Sequence, residues 1–537
     1  MLGQVKKGVI PFLFLSLIFS YACKDTDLKK KPESAQKTYG GTYRSPLPFE
    51  PKTLDPALST DIYAVTVIQQ IYDGLVQFDK DLNIIPAIAK SWKISLDGLT
   101  YTFYLREGVR FHNGKDVTAE DFIYSFTRIL DPDVKSSSVG FFTNILGVKE
   151  FQRGLSKSVK GLKAPSKYTL GITLSKPYSP FITILAMKGA KVVPKEEVKK
   201  WGKDFGKHPV GTGGFKFVSW RDNEIVLEAN KDYFEGRPIL DRIVYKIFPG
   251  RDVEKMFKEF ASGGLENSEI PDNIRDDVIK SRKYYVIKRP ILSLLFHGLN
   301  TKIIPLNNKK IRQAINFAIN KEKIIQEAYN GKHIKADAIL PPGIPGYERK
   351  EIGYPYNPEK AKRLLSEAGH PEGRGIPTFE IWSAATTEAT RKELEIVKAN
   401  LKDIGINVEL KYEKRWPVYE SYLNRKRLPI FRYIWYADFP DPDNFLAILS
   451  HSNSQYNFTY YKNKHVDKML EDAKSELDFI KRMGIYRMAE REIMKGVPIA
   501  PLLHLSYEEA YQPYVNGIEV NALGSPYIPM KKVWFSR

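Results

Sequence analysis

Hydrophobic and polar positions along the chain fall into short segments of two different periods. Tyr101, Phe103 and Leu105 alternate with polar or opposite-face residues, and this period of two predicts a strand. Thr118-Ala119-Glu120-Asp121 then has the spacing of a capping box. It predicts a helix burying Phe122, Ile123, Phe126, Ile129 and Leu130, which Asp131-Pro132 stops. Strands are predicted over 215–220, 224–229 and 241–248, divided by Arg/Asp/Asn and Gly/Pro turns. Ile311, Ala314, Ile315, Ala318 and Ile319 share one face of a long helix that starts near Asn308 and ends near Gly331. Asn357-Pro358 caps another helix, with Ala361, Leu364, Leu365 and Ala368 inside and Gly369 closing it. Ile406, Val408, Leu410 and Tyr412 lie on one strand face. The pattern is α/β, with strands drawn from distant parts of the chain and no repeat of 20–50 residues. No linker-like composition occurs after residue 38, so the domains are expected to interleave.

At 537 residues the chain exceeds what one hydrophobic core serves, about 250–300 residues, so two or three domains are expected. Hydrophobic residues make up 42% and charged ones 27%, which is ordinary globular usage and argues against extensive disorder. The 31 Tyr and 29 Phe suit strand-rich domains and clefts that grip a ligand by stacking. Net charge is +20, yet cations and anions interleave, as over 191–203 (KVVPKEEVKKWGK). A nucleic-acid binder would gather that charge into one stripe, so a solvated basic surface is the reading and nucleic acid is excluded as a partner.

The single cysteine matters by position. Lys6 and Lys7, the apolar run 9–19 and Ser20-Tyr21-Ala22 precede Cys23, the order of an export signal over 1–22. The run is short for about 30 Å of hydrocarbon, and no later segment approaches ~20 consecutive apolar residues. Residues 23–38 read as a flexible tether beginning at that cysteine.

Searches for reaction chemistry fail. Gly211-Thr212-Gly213-Gly214 lacks the Lys and helix of a phosphate loop, and no G-x-S-x-G, H-E-x-x-H or Cys/His metal spacing occurs. Asp438, Asp441 and Asp443 crowd into 435–445 (WYADFPDPDNF), but the Gly and Glu of a calcium loop are missing. No catalytic residue, metal site or cofactor is therefore expected. Asp441 and Asp443 are assigned to a Pro-rich turn. Asp438 lies among Trp435, Tyr436 and Phe439, and a carboxylate among rings suits an ammonium group.

Leu54-Asp55-Pro56, Ile71–Leu75 (IYDGL), 86–92 (PAIAKSW), 102–111 (TFYLREGVRF) and 116–124 (DVTAEDFIY) together resemble the opening of the family 5 extracellular solute-binding proteins. These are the oligopeptide- and dipeptide-binding lipoproteins of ABC importers. The resemblance continues through 209–215 (PVGTGGF), Asn300-Thr301, 312–320 (RQAINFAIN), 341–346 and 435–445, from about residue 40 to the end. It departs at 263–269 (GGLENSE), where many members carry Gly-Glu-Ile-Asp.

The resemblance implies a two-lobe, class II periplasmic-binding-protein-like fold with an extra domain on the first lobe. Lobe I would take 39–61, 188–297 and 504–537, the extra domain 62–187, and lobe II 298–503. Cys23 resembles the acylated residue of a lipoprotein, which implies a monomer on the periplasmic or outer face of the cytoplasmic membrane. Asp438 would hold a peptide's α-ammonium and Arg432 its carboxylate. A second arginine of that subgroup falls at Leu423, with Arg425 nearby. Thr60, Asp61 and Ile62 match a strand that pairs with the peptide backbone, while Trp435 and Tyr436 line the cleft. The implied function is non-enzymatic capture of short peptides for a membrane permease with a separate ATPase. The alternatives are another solute (a cell-wall peptide, sugar or metal chelate) or a periplasmic hydrolase.

Overall fold

The computed structural model describes residues 37–348, 352–425 and 427–536, so the expected signal, Cys23 and the tether as far as residue 36 lie outside the described residues. In the first lobe, strands Thr42–Leu47, Arg242–Ile247, Glu224–Ala229 and Phe215–Arg221 form a four-stranded sheet in that spatial order. Its opening pair is parallel although the two strands are about 200 residues apart in the chain, which is the interleaving expected above. A second four-stranded sheet, Ala89–Ile94, Thr100–Leu105, Thr169–Thr173 and Leu162–Ser166, is antiparallel and belongs to the extra domain. It has its own core, with Tyr101, Phe103, Leu105, Phe122 and Phe126 at 0–1% exposure.

The second lobe is built on six strands in the order Ile334–Lys335, Ile499–His504, Ser293–Leu299, Ile430–Tyr436, Phe379–Ser383, Val408–Tyr412. Two strands of this sheet run on into the three-stranded sheet of the first lobe. Tyr285–Pro290 continues as Ser293–Leu299, and Ile499–His504 continues as Ser506–Tyr511. The chain changes sheet at Ile291–Leu292 and at Leu505, and the two crossings are tied together. The Ile291 N–H donates to the Leu505 carbonyl at 3.0 Å, and the Leu505 N–H donates to Ser293 Oγ at 2.9 Å. Paired crossing strands of this kind form a hinge.

Local chemistry explains most elements. Helix Ala119–Leu130 starts with the expected box, Thr118 N–H donating to Asp121 Oδ2 at 2.9 Å, although Ile123 is only half-buried. The long helix from 308 to 331 is instead two helices, Lys309–Ala318 and Lys321–Tyr329. Asn320 breaks it: its side chain caps the second helix through Lys323 N–H, and its own N–H donates to Asn400 Oδ1. A side-chain cap that bonds locally competes with the continuing helix, and here it prevails. The glycines of 211–214 serve close packing. A Cβ on Gly211 would stand 2.1 Å from the Ile71 carbonyl oxygen, and one on Gly213 2.4 Å from that of Gln70.

Candidate functional site

Strand Ile430–Tyr436 lies in the interior of the six-stranded sheet, and its carboxyl end opens toward the first lobe. Clefts of open α/β sheets form at such ends. The chain leaves the strand by Ala437 N–H donating to the Leu292 carbonyl at 2.8 Å, and Asp438 follows. The Asp438 backbone is pinned by Asn444, whose Oδ1 accepts the Asp438 N–H at 2.9 Å and Trp435 Nε1–H at 3.4 Å. Asp438 is reachable by solvent, yet surrounding protein raises its pKa by desolvation, opposed by the Asn444 amide and by Lys188. Accessible and desolvated together mean a concave wall, where a charge is felt strongly and stays open to a guest.

The facing wall comes from the first lobe and extra domain. Asp61 caps helix Ile62–Ile71 by accepting Ala64 N–H at 2.7 Å, while Thr60 and Ile62 are exposed beside it. Lys188 donates to the Ser59 carbonyl and feels both carboxylates; burial lowers its pKa while Asp438 and Asp61 raise it. Tyr436 is 53% exposed; burial raises its pKa, the charges of Arg251 and Arg432 lower it, and Tyr63 raises it. Arg251 is exposed, stands at φ +56° and donates from one guanidinium nitrogen to both Glu269 oxygens at 3.0 Å. Glu269 also pairs with Lys332 at 3.4 Å, across the two lobes. A non-glycine residue held in the left-handed region is enriched at ligand sites.

Several expected residues therefore meet and others do not. Asp438, Tyr436, Thr60, Asp61 and Ile62 are brought to one cleft. The strand expected over Thr60–Ile62 is not formed, because Asp61 is a helix cap and Ile62 the first helical residue. Trp435 is buried in the core of the second lobe against Tyr456, since neighbours on a strand face opposite ways. Arg432 is not offered to the cleft. It is buried, and its Nε donates to both oxygens of Glu393 at 3.0 Å and its Nη2 to the Tyr329 hydroxyl at 3.2 Å. Glu393 is itself 0% exposed; burial would raise its pKa, but Arg432 and His297 hold it below the ordinary value. A buried carboxylate requires such a partner, so the expectation that Arg432 receives a ligand carboxylate fails. Leu423 is buried and Arg425 exposed at a helix end away from these groups.

Asp441 and Asp443 do shape the turn, Asp443 N–H donating to Asp441 Oδ1 at 3.0 Å. Both also hold structure together. Asp441 pairs with buried Arg482, and Asp443 accepts from the Tyr178 hydroxyl of the extra domain at 3.1 Å. Phe439 enters the extra-domain core and meets Phe141 edge-on at 5.9 Å. Sequence reasoning missed Lys188, Arg251, Glu269 and Glu393. The two lysines, Lys188 and Lys191, inside the largely apolar stretch 181–193 and a glutamate on the apolar face of helix Glu388–Lys402 were available signals. Among the described residues, no cluster of His, Cys, Asp or Glu could hold a metal, and no helix is long and apolar enough to cross a membrane.

Residues 83–457 match the model of the bacterial extracellular solute-binding proteins, family 5, middle region. Heme-binding protein A of Haemophilus influenzae is 31% identical, the alignment covering 94% of this chain and 94% of that protein. Glutathione-binding protein GsiB of Pectobacterium atrosepticum is 30% identical over 83% of this chain and 85% of its own. Among solved structures, the periplasmic binding protein DppA of Helicobacter pylori in complex with peptide STSA superposes with a TM-score of 0.76. It is 30% identical, and the match covers 94% of this chain and 99% of that one.

Proposed function

We infer that this chain, which belongs to family 5 of the bacterial extracellular solute-binding proteins, captures short peptides between its lobes and hands them to a membrane permease. The family consists of solute-binding proteins rather than enzymes. The observation that carries the peptide reading is Asp438, a desolvated but solvent-open carboxylate at a strand end, facing the other lobe across tyrosines. An α-ammonium group would replace the water at that carboxylate and leave side chains unread, which suits a receptor tolerant of sequence. Glutathione, the solute in one relative's name, carries such an ammonium. Haem, the solute in another, carries carboxylates and none, so Asp438 favours the peptide class.

Arg251 takes the place first given to Arg432. Its guanidinium is exposed on the first lobe and has donors beyond the nitrogen bound to Glu269. A ligand joined by its ammonium to the second lobe and its carboxylate to the first would favour the closed form, by as much as it binds that form better. The chain would bend at Ile291–Leu292 and Leu505, with lobe I, the extra domain and lobe II divided close to the boundaries expected from sequence. The permease partner with its separate ATPase, the monomeric state and a lipid anchor at Cys23 complete the reading. Anchoring would hold the protein on the outer side of the cytoplasmic membrane.

Native mass spectrometry with solution scattering tests this. The reading expects co-purified short peptides and a smaller radius of gyration on saturation with peptide. Sugar or chelate adducts, or unchanged dimensions with bound peptide, contradict it.

A further inference from the structure

A cavity of about 50 Å³ lies behind the cleft, between the end of helix Ile62–Ile71 and the last segment of the chain. Gln69, Gln70, Asp73, Lys191, Tyr233 and Lys531 are among its walls. Most of their polar atoms are already satisfied. Asp73 accepts from Thr212 Oγ1 at 3.1 Å and from the Tyr233 hydroxyl at 3.2 Å. Lys531 donates to Gln77 Oε1 at 2.9 Å, the Tyr233 hydroxyl at 3.0 Å and Glu235 Oε2 at 2.7 Å. Gln70 bonds the Ile528 carbonyl and the Met530 N–H.

Two donors in this wall remain without an acceptor in good hydrogen-bond geometry. Lys191 is 5% exposed, and its ammonium makes no hydrogen bond or ion pair among the described residues. The charges it feels are Asp73, which attracts it, and Lys531, which repels it. The buried Gln69 side-chain nitrogen has no acceptor in good hydrogen-bond geometry, although the Tyr527 hydroxyl lies near it. A lysine carries three N–H donors and a glutamine amide two, and a buried ammonium deprived of acceptors is costly. The group that matches this wall is small and rich in acceptors. One water-sized sphere needs roughly 10–15 Å³, so the space suits a carboxylate of about three or four heavy atoms.

A way in exists. A second cavity of about 270 Å³ shares Tyr527 and Lys531 with the first, and its rim is mixed in charge, with Lys80, Arg106 and Lys532 beside Asp79, Glu235 and Glu519. Tyr527 also feels the Asp438 charge, so the inner cavity borders the ligand cleft.

We propose that this cavity is a binding site for a small carboxylate, held by the Lys191 ammonium and the Gln69 amide. The carboxylate can come from a free anion such as acetate, or from an acidic side chain of a bound peptide entering past Tyr527. Only the second source rests on the peptide reading above. Burial brings the Lys191 pKa down to about 8, Asp73 opposing and Lys531 adding to the fall. Tyr233 lines the site with its hydroxyl bonded to Asp73 and Lys531, and Glu235 acts on it through Lys531. The ammonium is therefore present at pH 7 and lost by pH 9.5, and anion binding goes with it.

The test is acetate titration of the full chain by calorimetry and thermal denaturation. Ionic strength is held constant with chloride, an anion that carries no carboxylate. At pH 7 the site predicts saturable binding and a rise in Tm of about 1–2 °C. Affinity should fall at least tenfold at pH 9.5 and in Lys191→Met, and persist in Asp438→Asn. Absence of saturable acetate binding in the wild type overturns the proposal. So does affinity unchanged at pH 9.5, a result that decides the matter even if Lys191→Met does not fold. Acetate competing with a peptide that begins with Glu, but not with its Gln counterpart, assigns the site to a ligand side chain. Acetate binding indifferent to either peptide assigns it to a free anion.

Discussion

Arg432 and Asp438 stand six residues apart at one strand of the second lobe and have opposite fates. The strand carries Arg432 inward, where Glu393 and Tyr329 take its donors and His297 closes the group at 3.4 Å from Glu393. Asp438 comes after the strand has ended. Its nearest cation, Lys188, belongs to the opposite wall and is already bonded to the Ser59 carbonyl. Both charges are desolvated, so burial alone does not mark a binding residue. What separates them is whether the counter-charge is built into the same lobe. A charge answered inside its own lobe is part of the fold, whereas one left open across a hinge is available to whatever closes it.

The first way to break this contrast is to remove Arg432. Arg432→Leu strands Glu393 in the core, and breaking a buried pair from one side costs about 3–5 kcal/mol. Chemical denaturation should show that loss, while the protein that remains folded keeps its peptide affinity. A stable variant with weakened peptide binding would return Arg432 to the cleft.

Glu490 offers a third kind of buried charge. It is 4% exposed, accepts the N–H groups of Ile339 and Leu340 at 2.9 and 2.7 Å, and its burial lifts its pKa to about 7. No cation pairs with it among the described residues, and the weak pull of Arg491 does not offset burial, so it answers by taking a proton. A carboxylate whose folded pKa is raised loses stability as pH rises from its unfolded value, about 4.3, toward 7, and is level above that. Glu490→Gln should remove this slope and gain about 1–3 kcal/mol at pH 8, with little gain at pH 4.5. Parallel stability curves for variant and wild type would refute the assignment.

A smaller effect is expected at Arg251, which is exposed and shares its charge with Glu269. Amidating the peptide's carboxyl end should cost about 1–2 kcal/mol, or roughly 5–30-fold in affinity. Arg251→Met should remove that difference, as read by calorimetry. An undiminished preference for the free carboxylate in Arg251→Met would place the carboxylate elsewhere.

Much of the fold was legible because local signals and packing agree there. The capping box at Thr118 and the strand Thr100–Leu105 follow from periodicity and turn residues, and the interleaving from the absence of linker composition after residue 38. The break at Asn320 was only half legible: its side-chain cap on Lys323 is a local signal, but the bond that takes its own N–H comes from Asn400, eighty residues later. At the site, Asp438 was singled out by its aromatic surroundings, while the ammonium role proposed for it came from the family resemblance. Arg432 misled because a strand position shows that a side chain alternates but not what meets it. Glu393 meets it from helix Glu388–Lys402, and only that pairing reveals the arginine as structural. Arg251 gave no signal, since Gly250-Arg251 reads as an ordinary turn until the chain fold sets it opposite Tyr436.

The account's central claim is that Asp438 is open for a ligand ammonium, and a double-mutant cycle by calorimetry tests it most directly. Truncating one side of a desolvated charge pair costs about 2–5 kcal/mol, so Asp438→Asn should weaken peptide binding by roughly 30-fold to several thousand-fold. N-acetylating the peptide should cost the wild type a similar amount. The two changes together should cost little more than either, because each removes the same contact. Full additivity of the two losses would mean that Asp438 does not meet the amino terminus.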